Sequence, residues 1–118
     1  MRKTALIVDD HPSFRASARR LLEAYGYQVV GEAEDGLGAL AAAGSLRPDL
    51  VLLDVRLPDI DGFEVAKMLL DAHGPDPQIV LTSSHDARDL AEAIDASGAS
   101  GFIPKGELTG TALAALLG

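Results

Sequence analysis

The sequence has no cysteine, little positive charge and no long apolar run, and each absence removes a class of protein. Without cysteine there is neither a disulfide framework nor a thiolate metal site, and the redox compartment stays open. The N-terminal apolar run, Ala5 to Val8, stops at two aspartates and is far too short for a signal peptide core or a membrane span. The sequence therefore predicts a cytoplasmic protein that does not insert in a membrane.

Acidic residues outnumber basic ones, 18 against 10, and the formal net charge is -8. Affinity for nucleic acid comes mainly from neutralising phosphates with Lys and Arg, so this balance opposes direct nucleic acid binding. A chain of 118 residues can bury one core but not two ordinary ones. We expect one domain over residues 1–118.

Short apolar runs rich in Val, Ile and Leu alternate with segments of helical spacing, which is typical of a parallel sheet covered by helices on both faces. The predicted strands are residues 4–8, 27–31, 50–54, 78–82 and 100–103. Right-handed crossovers with one reversal of direction then give an α/β, doubly wound, three-layer sandwich. In such sheets ligands bind beyond the carboxyl ends of the strands.

The helices are predicted between and after the strands. The first carries Phe14, Ala18, Leu21, Leu22 and Tyr25 on one face, with Gly26 just past its end. The second, 36–44, contains three glycines and is the weakest of the five. The third and fourth are expected over 62–72, ending at Gly74-Pro75, and over 86–97, ending at Gly98. The fifth spans about 107–117.

Four of the strands run into residues that phosphoryl chemistry uses. Asp9-Asp10, Asp54, Thr82-Ser83 and Lys105 follow the first, third, fourth and fifth strands, so neighbouring strands would bring them together at one edge. Carboxylate oxygens are ligands that Mg²⁺ prefers, and a carboxylate can also accept a phosphoryl group. The hydroxyl of Ser83 and the ammonium of Lys105 would interact with the charged phosphoryl oxygens.

Each of these residues also has an ordinary structural interpretation. An aspartate before Pro12-Ser13 could cap the first helix. Asp54 could be an exposed strand-end residue, although its apolar run makes burial and a partner more plausible. Ser83 could be a loop residue, and Lys105 a solvated surface lysine.

Taken together, the motifs resemble the receiver domain of bacterial two-component response regulators, over essentially the whole chain. The similarity is carried by Val8-Asp9-Asp10-His11-Pro12, by Leu53-Asp54-Val55-Arg56-Leu57-Pro58 with Asp61-Gly62, by Leu81-Thr82-Ser83, and by Gly101-Phe102-Ile103-Pro104-Lys105. The resemblance implies a flavodoxin-like (βα)5 sandwich with strand order 2-1-3-4-5.

The resemblance also implies roles for individual residues. Asp54 is the expected phosphoacceptor, and Asp9, Asp10, Asp54 and the carbonyl of Arg56 are expected to hold Mg²⁺. Lys105 would pair with the phosphoryl group. Ser83 stands where the family has Thr or Ser, and Phe102 stands where it has a switching aromatic residue.

Two departures from the family pattern affect the expected switch. Phe102 has no hydroxyl, so the switch would depend on packing alone. Gly106 follows Lys105 where many members have Pro, which predicts a more mobile loop without a cis Lys-Pro bond. The side chains of Arg56 and His85 are expected at the mouth of the pocket, where they would tune the lifetime of the phosphate; two solvated side chains are the alternative. His11 is assigned a rim position.

The implied partner is a sensor histidine kinase or a phosphotransfer protein, recognised mostly through side chains of the first helix such as Arg15, Ala18 and Arg19. The fifth helix carries small uncharged residues, Gly110, Thr111, Ala114 and Ala115, away from the sheet. In this family the surface formed by the fourth helix, fifth strand and fifth helix commonly carries output, so we expect a weak homodimer through the fifth helix; exposed residues without a role are the alternative.

Three functions compete at this stage. The first is a signalling module that catalyses only its own phosphorylation and dephosphorylation, either standing alone or followed by a DNA-binding effector domain, as the Asp-His-Pro motif suggests by resemblance. The second is a Mg²⁺-dependent phosphohydrolase, which would need a cap insertion that these short connections cannot hold. The third is a receiver-like scaffold that is never phosphorylated.

Overall fold

A computed structural model describes residues 2–74, 77–84 and 90–117. Strands and helices alternate along the chain in five successive pairs. The elements are β1 (Thr4–Val8), α1 (Pro12–Ala24), β2 (Gln28–Ala33), α2 (Gly36–Leu46), β3 (Leu50–Asp54), α3 (Gly62–His73), β4 (Gln78–Ser83), α4 (Ala91–Ser97), β5 (Gly101–Pro104) and α5 (Gly110–Leu117). This confirms the predicted α/β alternation.

The five strands form one parallel sheet in the order β2-β1-β3-β4-β5, which confirms the implied topology. Every residue of β3, the central strand, is buried. Because successive side chains of a strand point to opposite faces, the sheet has two separate apolar cores. Leu6, Val51 and Leu81 face α2, α3 and α4, whereas Ile7, Leu52 and Val80 face α1 and α5. The reversal of strand order lies between β1 and β3.

The first helix begins at Pro12, whose fixed φ and missing N–H suit the first helical position. Its residues Ala18 and Leu22 are buried in the core, and Phe14 and Leu21 pack against the same core. Gly26 follows the helix with φ of 90°, as predicted. The expectation for Tyr25 is wrong: its side chain is 56% exposed because the residue lies at the end of the helix, beyond the edge of the core.

The second helix forms despite its glycines and runs two residues further than predicted, to Leu46. Asp35 caps it by accepting a hydrogen bond from the Gly38 N–H at 2.7 Å, and Ala39 and Ala43 bury its inner face. Capping and burial therefore offset the low intrinsic helix propensity. The strand before it lies at residues 28–33, not 27–31, because its pairing with β1 continues to Ala33.

Helix α3 ends at His73, before Gly74 with φ of 76°, and α4 ends before Gly98 with φ of 79°, as the breakers predicted. The predicted start of the fourth helix, 86–89, lies outside the described residues. Among those described, the helix begins at Ala91.

The last helix begins three residues later than expected. Lys105–Glu107 forms a 3-10 turn instead, and the hydroxyl of Thr109 accepts a hydrogen bond from the Ala112 N–H at 3.0 Å at the start of α5. Gly110 is buried, and a Cβ there would overlap the ring of Tyr25, so its predicted exposure is wrong. Thr111, Ala114 and Ala115 are exposed as predicted.

Candidate functional site

Asp9 comes directly after β1 and is completely buried. Its main chain continues the sheet, since its N–H donates to the carbonyl oxygen of Ala33 at 3.0 Å. Its carboxylate Oδ1 accepts a hydrogen bond from the His11 N–H at 2.8 Å. The other oxygen, Oδ2, points toward the end of the neighbouring strand β3.

Asp54 is the last residue of β3, and only 4% of it is exposed. Its Oδ1 accepts a hydrogen bond from the Arg56 N–H at 3.0 Å. Its Oδ2 accepts one from Nζ of Lys105 at 3.1 Å. The alternative of an exposed strand-end aspartate is therefore wrong, because this carboxylate is held in place from two directions.

Lys105 follows β5, and its side chain reaches back over the ends of β3 and β1. Its Nζ lies 2.6 Å from Oδ2 of Asp9 and 3.1 Å from Oδ2 of Asp54, and its side chain is 15% exposed. The ammonium also lies 4.6 Å from the centre of the Phe14 ring on α1, a cation-π distance. The alternative of a solvated surface lysine is wrong.

These three groups change one another's affinity for protons. Burial raises the pKa of Asp54, and the nearby charge of Asp9 adds to the rise, against the lowering effect of the Arg56 N–H and Lys105. Burial also acts to raise the pKa of Asp9, but Lys105 and the His11 N–H lower it further than burial raises it. The two carboxylates raise the pKa of Lys105 in spite of its burial. The positively charged ammonium of Lys105 thus lies between the two buried carboxylates of Asp9 and Asp54.

Asp10 and His11 form the exposed rim of this centre. Nδ1 of His11 lies 3.1 Å from Oδ1 of Asp9 and 3.0 Å from Oδ1 of Asp10. His11 is the N-cap residue of α1, and no side-chain hydrogen bond caps that helix. The alternative in which the acidic pair serves as a helix cap is therefore wrong, and the rim position of His11 is confirmed.

A cation would find ligands here. Oxygen or nitrogen atoms of Asp9, Asp10, His11 and Asp54 all lie within 4.8 Å of one another. Oδ2 of Asp9 is buried and lies 2.6 Å from Nζ of Lys105. A buried carboxylate needs compensating positive charge, and a bound cation would add to the charge that Lys105 supplies. The donor set is mainly hard oxygen, which fits Mg²⁺.

The hydroxyl nearest in register to Asp54 belongs to Thr82, not to Ser83. Asp54 and Thr82 are paired across β3 and β4, and both continue the side-chain series that faces α1 and α5. Ser83, the last residue of β4, is buried too. Oγ1 of Thr82 is buried and has no hydrogen-bond partner within the described ranges.

The sequence pointed to Ser83 because this residue stands at the end of the run and where the resembling family has Thr or Ser. The spacing of the apolar residues also indicates Thr82: Val80 shares a face with Leu52, and Thr82 pairs with Asp54 two residues further along. The switching role predicted for Ser83 stays a prediction.

The loop between β3 and α3 is fastened along its length. The Val55 N–H donates to the Thr82 carbonyl at 3.0 Å, and the Gly62 N–H donates to the Val55 carbonyl at 2.9 Å. A Cβ at Gly62 would overlap the Asp54 carbonyl oxygen. The Asp59 carboxylate accepts hydrogen bonds from the N–H groups of Gly36 and Leu37, at 2.7 and 2.9 Å, so it anchors the loop to the start of α2.

The other predicted residues lie around this centre. Arg56 is exposed, consistent with a position at the mouth of the pocket, and His85 lies outside the described residues. Phe102 is half-buried against the core that faces α2, α3 and α4. Ala18 is buried, so its predicted contact with a partner is wrong, and Arg15 is largely occupied by contacts within the chain.

The sheet is parallel and doubly wound, and buried carboxylates and a lysine lie at the carboxyl ends of its strands. This combination is typical of a class of domains that bind ligands and handle phosphoryl groups. Residues 5–116 match the family described as the response regulator receiver domain. The chain belongs to this family, whose members act in phosphorylation-dependent signalling in two-component systems.

Individual relatives agree with this assignment. The chain is 42% identical over 102 residues to a protein named as a transcriptional regulator in Pseudomonas aeruginosa, covering 86% of this chain and 49% of that protein. It resembles a LuxR-family response regulator from Aurantimonas sp. SI85-9A1, with a TM-score of 0.86, 31% identity and coverage of 99% of this chain and 86% of that one. Chemotaxis protein CheY4 of Vibrio cholerae gives a TM-score of 0.86 with 30% identity, covering 99% and 98% of the two chains.

The chain spans about a quarter to a half of the length of the first curated relatives that it matches. Within the described residues, none of the helices has the length and apolar character needed to cross a membrane.

Proposed function

We propose that Asp54 receives a phosphoryl group from a phosphohistidine of a partner kinase or phosphotransfer protein. A carboxylate oxygen of Asp54 attacks phosphorus, the phosphorus–nitrogen bond breaks, and its electron pair leaves with the histidine ring, which yields an aspartyl phosphate. The observation that carries the proposal is the placement of the Lys105 ammonium between the buried carboxylates of Asp54 and Asp9.

The proposed cation ligands are carboxylate oxygens of Asp9, Asp10 and Asp54 with the carbonyl of Arg56. When bound, Mg²⁺ supplies positive charge that offsets the charge of the phosphoryl oxygens. The closeness of the ligand atoms supports this assignment, since those of Asp9, Asp10 and Asp54 lie within 4.8 Å of one another. The Lys105 ammonium contacts both buried carboxylates.

The hydroxyl that responds to the phosphoryl group is proposed to be that of Thr82. Its position opposite Asp54 and its free hydrogen-bonding capacity among the described groups both support this role. A phosphoryl oxygen on Asp54 would give the Thr82 hydroxyl an acceptor, and a hydrogen bond to a charged group is stronger than one between neutral groups. Phosphorylation would thus stabilise the inward position of Thr82.

We propose that this change reaches the surface of α4, β5 and α5. Thr82 pairs with Ile103, next to Phe102, and residues 80–83 of β4 pair with the whole of β5. The half-buried ring of Phe102 can shift only by repacking, because it has no hydroxyl. The exposed small residues of α5 support a weak dimer on this surface.

The same proposal holds that the domain acts in the cytoplasm and has no separate substrate. It also holds that Arg56 and His85 influence how quickly the phosphate is lost. Arg56 is exposed beside Asp54, which supports a position where water enters. Replacing Arg56 and His85 together should change the dephosphorylation rate, measured after removal of the phosphodonor. An unchanged rate would remove this part of the proposal.

The central test is phosphorylation by a small phosphodonor with Mg²⁺, followed by intact-mass spectrometry. Wild-type protein should gain the mass of one phosphoryl group, and Asp54→Asn should gain none. Asp10→Asn serves as a comparison, because its rim carboxylate can be removed without removing the acceptor. Wild-type protein that gains no mass would favour the scaffold function, and Asp54→Asn that gains mass would locate the acceptor elsewhere.

A further inference from the structure

The guanidinium of Arg15 contacts the main chain of Asp9. Nη1 of Arg15 donates a hydrogen bond to the main-chain carbonyl oxygen of Asp9 at 2.6 Å. The same side chain donates through Nε to Oε1 of Glu32 at 3.0 Å. Only 17% of the Arg15 side chain is exposed, so these contacts occupy most of it.

Glu32 holds a second arginine as well. Oε2 of Glu32 accepts a hydrogen bond from Nε of Arg19 at 2.9 Å and lies 2.8 Å from its Nη2. Arg15 and Arg19 lie one turn apart on α1, and both reach the end of β2. They therefore share one carboxylate, but only Arg15 extends to the main chain of Asp9 in the part of the protein described.

Both main-chain polar groups of Asp9 are consequently fixed. The N–H donates to Ala33 of β2, and the carbonyl accepts from Arg15 of α1. Fixing both sides of the residue limits rotation of the strand end, and so limits where the buried carboxylate can point. Partners behind a metal ligand commonly determine its affinity for the metal, because they set the ligand's orientation before the metal arrives.

Lysine could not replace Arg15 in this role. The planar guanidinium bonds the Asp9 carbonyl and the Glu32 carboxylate with two different nitrogens at a fixed angle, whereas an ammonium is a single point of contact on a flexible stem. The sequence suggested that a kinase recognises Arg15. The contact with Asp9 explains why this side chain is not freely available for that role.

We infer that Arg15, held by Glu32, is a positioning residue that sets the affinity of the acidic centre for its divalent cation. The inference rests on the proposed cation site. The expected result is an affinity for Mg²⁺ that is about 5- to 10-fold weaker in Arg15→Met. This lies at or just below the lower limit of the roughly 10- to 100-fold loss typical of removing a partner behind a metal ligand, because the contact is to the main chain.

The matched control is Arg19→Met, which removes an arginine of the same helix from the same carboxylate but makes no contact with Asp9. Arg15→Lys keeps the charge and should recover only part of the affinity. If Arg15 merely anchors α1 to β2, both Met variants should lose similar thermal stability and neither should change the affinity for Mg²⁺.

The measurement is a titration of each folded variant with MgCl2, followed by the amide NMR signals of Asp9 and Asp10, without any phosphodonor. Hydrogen exchange of the Asp9 amide in metal-free protein gives a second readout, and it should accelerate in Arg15→Met but not in Arg19→Met. Equal Mg²⁺ affinity and equal exchange in the two Met variants would overturn the inference. Wild-type protein that does not bind Mg²⁺ would instead overturn the cation site of the proposed function.

Discussion

The two faces of the sheet carry different parts of the proposed function. Asp54 and Thr82 belong to the face covered by α1 and α5, where Lys105 lies over Phe14. Phe102 belongs to the face covered by α2, α3 and α4. Neighbouring residues of a strand point to opposite faces of the sheet. A step of one residue along a strand therefore leads from the face of the phosphoryl chemistry to the face of the aromatic residue that is expected to respond. The four predictions below test this separation, in order of decreasing effect.

The largest effect is expected from Gly62→Ala. The added Cβ would overlap the Asp54 carbonyl oxygen and lie 2.6 Å from Cα of Val55, so α3 would have to move away from β3. Overpacking against main chain should cost about 3 kcal/mol of unfolding free energy. Gly44→Ala is the matched control, because its Cβ would meet no atom and a helical alanine should stabilise by up to about 1 kcal/mol.

Urea denaturation of both glycine variants measures these changes. A Gly62→Ala protein as stable as wild type would show that the approach of α3 to the Asp54 main chain is not needed, and that the face of α2, α3 and α4 can move independently of the acceptor.

The next effect concerns the two hydroxyls. Thr82→Val keeps the shape and removes the hydroxyl, so the phosphorylation rate with a small phosphodonor should fall by about 10- to 100-fold, the size of a hydrogen bond to a charged group. In the unphosphorylated protein the same variant should be as stable as wild type or more stable, because an unpartnered buried hydroxyl is removed. Ser83→Ala, at the next position of β4, should change the rate less. A larger loss in Ser83→Ala would reverse the assignment.

A smaller effect is expected from the pH dependence of Asp54→Asn. Burial raises the pKa of Asp54, so its ionised form is disfavoured in the folded protein. The penalty is absent below the unfolded pKa of about 3.9, grows as pH rises through the folded pKa, and is complete above it. Metal-free Asp54→Asn should therefore match wild type in strong acid and exceed it at neutral pH by about 1 kcal/mol, a typical single-residue effect.

Thermal unfolding in EDTA across that pH range measures the difference, with Asp10→Asn as the control for general loss of negative charge. A stability gain that does not depend on pH would assign the effect to packing and not to the ionisation of Asp54.

The smallest effect is the predicted dimer through α5. Wild-type protein should sediment with a concentration-dependent, weakly higher mass when a phosphoryl mimic and Mg²⁺ are present. Ala114→Lys should abolish that increase through charge repulsion on an exposed position. If phosphorylated and unphosphorylated wild-type proteins both stay monomeric throughout the concentration series, the dimer is excluded.

Local pattern was enough to predict the strand ends and the residues that follow them. Asp9, Asp54 and Lys105 meet because parallel strands end at one edge, and the apolar runs located those ends to within about two residues. The sequence could not show that α5 starts at Gly110, since this depends on the 3-10 turn and on the Tyr25 ring packed over Gly110. Nor could it show the inward turn of Arg15, which depends on the distance between α1 and the end of β2.

The anchored loop after Asp54 has a consequence for the direction in which a signal can travel. Hydrogen bonds from Gly62 to Val55 and from Gly36 and Leu37 to Asp59 leave that loop few alternative conformations. We therefore expect a change at Asp54 to displace α2 and α3 least, and β4 and β5 most. Because the side of α2 and α3 is rigid, the domain would pass its signal through the side of β4 and β5. Loosening β5 would raise the response to phosphorylation, whereas altering α2 would not.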